Sequence, residues 1–102
     1  VTDARVLLCT APPDQAQAIA RAILERRLAA CVNVVPGVES HYWWEGEIQN
    51  ESESLLLIKT TANKVGELTA ALPEIHPYDV PELLAIPVDA GSPAYLAWLR
   101  SQ

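Results

Sequence analysis

The sequence predicts an α+β domain whose single antiparallel sheet has four strands, and three features of its 102 residues carry that prediction. From Cys31 to Thr61, β-branched and aromatic residues dominate two arms separated by polar Gln49-Asn50-Glu51-Ser52, the pattern of one very long β-hairpin. Two shorter apolar runs, Arg5–Thr10 and Leu83–Val88, stand on either side of it. Segments with apolar residues at helical spacing separate these runs and close the chain, so the order is strand, helix, long hairpin, helix, strand, helix.

Each element has its own signal. Arg5-Val-Leu-Leu-Cys-Thr10 is almost continuously apolar, as expected of a central strand buried on both faces. Pro12-Pro13-Asp14 opens the first helix, with Pro suited to a first turn and the acid to the positive end of the dipole. Ala16, Ile19, Ala20, Ile23, Leu24 and Leu28 follow along it, and Arg26-Arg27 fall at its negative end.

The first hairpin arm, Cys31 to Ile48, would extend roughly 55 to 60 Å at about 3.3 Å per residue, whereas a compact domain of this length is about 35 Å across. The ribbon must therefore bend or protrude, and Pro36-Gly37 supplies a bend. Beyond it, Ser40, Tyr42, Trp44, Gly46 and Ile48 alternate with His41, Trp43, Glu45 and Glu47, which aims aromatic rings at both faces. A protruding ribbon with two wet faces would not carry Trp on each. A second copy of the chain is expected to cover it, with Tyr42, Trp43 and Trp44 as interface residues. Base stacking by these rings is disfavoured, because no basic residue lies between Arg27 and Lys59 while Glu39, Glu45, Glu47, Glu51 and Glu53 do.

Asn63 is placed to cap the second helix, which carries Val65, Leu68, Ala71 and Leu72 and is limited by Pro73. Glu74–Glu82 reads as a rigid, turn-rich connector, and Pro87 puts the Leu83–Val88 strand at a sheet edge or near its own end. Ser92-Pro93 supplies an N-cap and a first helical residue for a short closing helix with Tyr95, Leu96 and Leu99. With right-handed crossovers, βαββαβ is most simply a ferredoxin-like sheet of order 4-1-3-2, one domain over residues 1–102, with both long helices on one face. The other face is left bare, yet Val6–Leu8 and Leu55–Ile58 are apolar throughout, so neighbouring subunits are expected there.

Thirteen acids against seven bases give a formal charge of -6, which disfavours nucleic acid or an anionic membrane as partner. No run of 18 apolar residues and no charged-then-apolar leader argues for a membrane span or a secretory signal. Cys9 and Cys31 sit in apolar runs, as thiols do in a reducing compartment, so a cytoplasmic location is expected. There is no CxxC knuckle, no GxSxG, no Gly-rich phosphate loop and no evident triad, so no enzymatic activity is expected. An acylphosphatase-like hydrolase of the same plan would need a basic anion loop, and residues 10–16 contain no Arg or Lys.

In the 4-1-3-2 sheet the start of the fourth strand lies beside the end of the first, which brings Cys9 and His76 together. A thiolate and an imidazole suit copper, especially Cu(I), with Asp79, Glu82, solvent or a neighbouring chain completing the site. The alternative is that Cys9 packs in the core and His76 serves a turn. Cys31 is two strands from Cys9, too far for a disulfide, and reads as packing. Tyr78, Asp79 and Glu82 lie between prolines and suit a preformed cleft wall, to which Lys59 could add; equally, Tyr78 could pack while the acids cap turns.

Five stretches together resemble one family: Leu28-Ala-Ala-Cys-Val-Asn33, Ser40-x-Tyr-x-Trp-x-Gly46, Leu57-Ile-Lys-Thr60, His76-Pro-Tyr-Asp-Val-Pro-Glu82 and Tyr95-Leu-x-Trp98. In this order, over essentially the whole chain, they look like the CutA divalent-cation tolerance proteins. The resemblance implies a ferredoxin-like homotrimer similar in plan to PII signalling proteins, locked together by its long hairpins. It also implies copper or another divalent cation, or a small ligand, at clefts between subunits, with Cys9 and His76 matching copper-binding members. Those members can carry a second His where this chain has Ile75, which implies a weaker site here. A structural or signalling trimer without physiological metal binding is the alternative.

Overall fold

A computed structural model describes residues 2–102. It contains β1 (Ala4–Ala11), α1 (Ala16–Glu25), β2 (Cys31–Trp44), β3 (Glu47–Thr61), a 3-10 turn at Ala62–Lys64, α2 (Val65–Ile75), β4 (Leu84–Pro87) and α3 (Pro93–Arg100). The strands form one sheet in the order β2-β3-β1-β4, all neighbours antiparallel, which is the expected ferredoxin-like topology. β1 is central because its apolar side chains have something to meet on both faces. Leu7 and Cys9, with Leu56 and Ile58 of β3, form one buried cluster with Ile19 and Ile23 of α1 and Leu68 of α2. The intervening residues face the side of the sheet opposite α1 and α2, where Val6 pairs with Ile86 and Leu8 with Leu84. There Leu84 and Ile86 are 58% and 45% exposed, so that face has an uncovered apolar edge. α3 rests against β1 and β3 through buried Leu99 and an Arg100–Asp3 ion pair of 3.7 Å.

The hairpin makes the molecule long, with extents of 44 × 25 × 23 Å. The expected bend is present: register slips between Val35 and Val38, and Gly37 takes φ 78°. The turn, however, is not at Gln49–Ser52. It is the two-residue Glu45-Gly46, with φ 51° and 81°, and Gln49–Ser52 are paired strand residues of β3. Positive φ at both turn residues matches the right-handed twist of two flanking strands, and Gly46 takes its φ without steric cost.

Three helix details also differ. α1 starts at Ala16, after a turn over Pro13–Gln15, and carries no acid in its first turn. Asn63 caps nothing; its side chain accepts from the Thr61 hydroxyl, and Lys64 precedes α2. Pro73 does not end α2, which continues to Ile75. A proline this close to the C-terminus removes one helical hydrogen bond and leaves only two residues to follow it.

Candidate functional site

β2 and β3 beyond the bulge project one face toward the connector that leads from α2 to β4. Strand alternation puts Ser40, Tyr42 and Trp44 of β2 on that face, beside Gln49, Glu51 and Glu53 of β3. The connector brings Tyr78, Asp79, Val80 and Glu82 to the same place. Together with Thr10 and His41 these residues line a concavity of about 510 Å³.

Its electrostatics are one-sided, because Glu51, Glu53, Asp79 and Glu82 line it and no Lys or Arg does. Glu53 is only 5% exposed, and the Tyr78 hydroxyl donates to its Oε2 at 2.6 Å. Burial, then that bond to a carboxylate, push the Tyr78 phenol well above its ordinary range. Tyr42 makes the parallel bond to Glu51 Oε1, and chiefly through it the Tyr42 phenol is raised to about 12. Two tyrosine hydroxyls thus donate to two glutamate side chains of the cleft.

His76 holds the connector in place. Its Nε2 lies 2.8 Å from the Thr10 carbonyl, and its Nδ1 accepts from the Tyr78 N–H at 3.2 Å. Both bonds are satisfied at once only by the neutral ring protonated on Nε2. β4 begins at Leu84, opposite Leu8, so the Thr10 carbonyl has no β4 residue opposite it and the imidazole serves instead. The His76 and Tyr78 rings also meet, 4.7 Å apart at 52°.

Cys9 and His76 do converge, on one carbonyl: the Cys9 Sγ lies 3.7 Å from Thr10 O. As placed they do not fit a metal ion. Both imidazole nitrogens are engaged, and the thiol is fully buried, with its pKa pushed up to about 12 by burial and then by Glu82 and Glu53. Among the described residues no three His, Cys, Asp or Glu side chains converge as a metal would require. Tyr78, Asp79 and Glu82 reach the cleft, whereas Lys59 does not; its Nζ bonds Asn33 Oδ1, six residues along β3 from Glu53. Cys31 is half-buried beside the same Asn33, at 3.9 Å, and both cysteines are free thiols. Tyr42 and Trp44 belong to the cleft wall, while Trp43, 71% exposed, points away from it.

Glu51 and Glu53 were not among the expected site residues. The signal for them was the alternation of Glu51, Glu53 and Leu55, readable once the turn is set at Glu45-Gly46.

Residues 5–102 match the model of a family described as "CutA1 divalent ion tolerance protein". The chain is 49% identical over 100 residues to the divalent-cation tolerance protein CutA of Pectobacterium atrosepticum, covering 97% of this chain and 91% of that one. Among solved structures it resembles the divalent cation tolerance protein of Thermus thermophilus, with TM-score 0.92, 46% identity and 96% of each chain covered. It also resembles the PII-like protein CutA of a Nostoc species, with TM-score 0.89 and 34% identity over 95% of this chain and 94% of that one. Some relatives are named as chloroplastic or periplasmic, and no helix among the described residues is long and apolar enough to cross a membrane. On the match of its sequence over nearly its whole length and of its fold, the chain belongs to the CutA1 divalent ion tolerance family.

Proposed function

We propose that this protein is a non-enzymatic, cytoplasmic homotrimer that binds a divalent cation, copper among them, or a small ligand at clefts between its subunits, and acts in the response to metal ions. The observation that carries this reading is the position of the acidic cleft. It is bordered by exposed apolar surface on the side of the sheet opposite α1 and α2, with Val80 72% and Leu84 58% exposed. Copies packing on that surface would bury it and close the cleft into an inter-subunit site. The names of the relatives supply the link to divalent cations.

Because Cys9 and His76 are committed to Thr10 and Tyr78, the proposed contacts are the cleft carboxylates together with Tyr78. Calorimetric titration of Cu(II) and Zn(II) into the native protein, Glu53→Gln and Cys9→Ser tests this. Loss of binding in Glu53→Gln alone supports the cleft. Loss in Cys9→Ser alone moves the metal to the thiol and rejects it. The name of one structural relative, a PII-like protein, supports a second reading, a PII-like adaptor trimer without physiological metal binding. Trimers without any metal heat would select that one.

A further inference from the structure

Resting on the reading that copies of this chain pack on the sheet and close the cleft, we infer that Lys59 of each copy enters the cleft of the next and pairs there with Glu82. Two unmatched charges at separate places on one molecule lead to this. The first is Lys59. Strand pairing sets it in a row with Cys31 and Val6, and the next row holds Leu57 and Leu8. Its neighbours Ile58 and Leu56 belong to the core beneath α1 and α2, so Lys59 leaves the sheet on the opposite, largely apolar face. It is half-buried, its ammonium donates to the neutral side chain of Asn33, and among the described residues no carboxylate pairs with it. A copy packing on that face takes water from the ammonium, which is unfavourable unless an anion replaces it.

The second is Glu82. It lines the cleft, is exposed, and has no hydrogen bond or ion pair among the described residues. Glu51 and Glu53 already accept from Tyr42 and Tyr78, whereas Glu82 stands two residues before Leu84, at the edge of the same apolar face. Within one copy the two charges stay apart. Lys59 lies opposite Val6, while Glu82 lies beyond the Leu8–Leu84 pair, beside Thr10, about 13 Å farther along β1 at roughly 3.3 Å per residue. A closed ring of three copies has heterologous contacts, in which one patch meets a different, complementary patch of its neighbour. An unmatched cation on one part of the face and an unmatched carboxylate on another supply that complementarity. No other base fits as well. Arg21, Arg26 and Arg100 are in ion pairs within the copy, Arg5 faces the side that α1 and α2 cover, and Arg27 and Lys64 flank those helices. The pairing uses Glu82 and leaves Glu51, Glu53 and Asp79 to the ligand of the cleft.

Charge reversal tests the pair. Dissociation on dilution is followed by light scattering at low ionic strength for the native chain, Lys59→Glu, Glu82→Lys and the double reversal. Lys64→Glu, the same charge change beside α2, is the control, and circular dichroism shows whether each variant is folded. Either single reversal should raise the concentration of half-dissociation by roughly 30-fold or more, since like charges then meet where assembly removes water. The double reversal should return it to within about threefold of native, and Lys64→Glu should move it by less than about threefold. Single reversals that dissociate like the native chain, or a double reversal no better than the singles, overturn the inference and leave the trimer standing. A native chain that is monomeric at micromolar concentration removes the packing of copies and the inference together.

Discussion

Removal of one hydroxyl, Tyr78→Phe, should cost the protein about 2 kcal/mol. The phenol donates at 2.6 Å to a carboxylate on a residue that is 5% exposed, and no other hydrogen bond to Glu53 is present among the described residues. A hydrogen bond to a charged group contributes roughly 1.5 to 3 kcal/mol, and loss of the donor leaves a desolvated acceptor in place. The phenyl ring can keep its place against His76, so little packing should be lost. For a domain of this size each kcal/mol moves the melting temperature by about 4 to 8 °C, which predicts a drop of roughly 8 to 16 °C. Glu53→Gln should cost less, because the amide oxygen can still accept from Tyr78 and a buried charge is removed. The assay is urea and thermal unfolding of the native protein, both single variants and the double variant, at fixed protein concentration. The double-mutant cycle should show a coupling of about 1 kcal/mol or more. A loss in Tyr78→Phe below about 0.5 kcal/mol with no coupling would refute the reasoning, because Glu53 would then be hydrated well enough not to need its partner.

His76→Ala should destabilise by about 2 to 4 kcal/mol, since both the Thr10 carbonyl and the Tyr78 N–H lose their partner, and imidazole nitrogen shifts in the native protein should report the Nε2–H tautomer. The Cys9 thiol, raised from 9.0 to about 12, keeps its proton when folded while the unfolded chain ionises; stability is therefore full below pH about 9 and falls as pH rises toward 12. The slope approaches about 1.4 kcal/mol per pH unit; Cys9→Ala should remove it between pH 9 and 10, below the ordinary phenol range, and a slope unchanged there would contradict the burial argument. Gly46→Ala should cost about 1 to 2 kcal/mol by urea unfolding, because φ 81° is a left-handed conformation, and no loss would mean the turn relaxes freely.

Periodicity made the fold readable because every buried strand and helix had an apolar face to hide. The strand order followed from the element order, and Ser92-Pro93 marked α3 correctly, with Ser92 Oγ accepting from the Tyr95 N–H at 3.4 Å. The hairpin turn was not readable by composition. Glu45-Gly46 is two residues inside an aromatic run, whereas Gln49–Ser52 looks like a loop but is a polar stretch of paired strand. That misplacement also hid the cleft. The turn sets the register, and only the register puts Glu51 opposite Ser40 and Glu53 opposite Val38. The role of His76 was hidden for a related reason. Its partner is a backbone carbonyl left unpaired because β4 starts at Leu84, and a strand's first residue is not marked by side-chain pattern.

The sheet edge that carries Leu84 and Ile86, together with the hairpin, is proposed to be the contact surface between copies of this chain. Trp43, Ile48 and Leu84 are 71%, 65% and 58% exposed on a single copy, more apolar surface than a lone domain leaves in water without cause. Light scattering on the native protein, Trp44→Ala and Glu47→Ala at micromolar concentration tests this directly. A trimer is expected for the native chain and for Glu47→Ala, with dissociation shifted to higher concentration in Trp44→Ala, because a ring that assembly buries contributes several kcal/mol and an exposed acid about 0 to 1. A stable monomer for the native chain, or equal dissociation of the two variants, would contradict it.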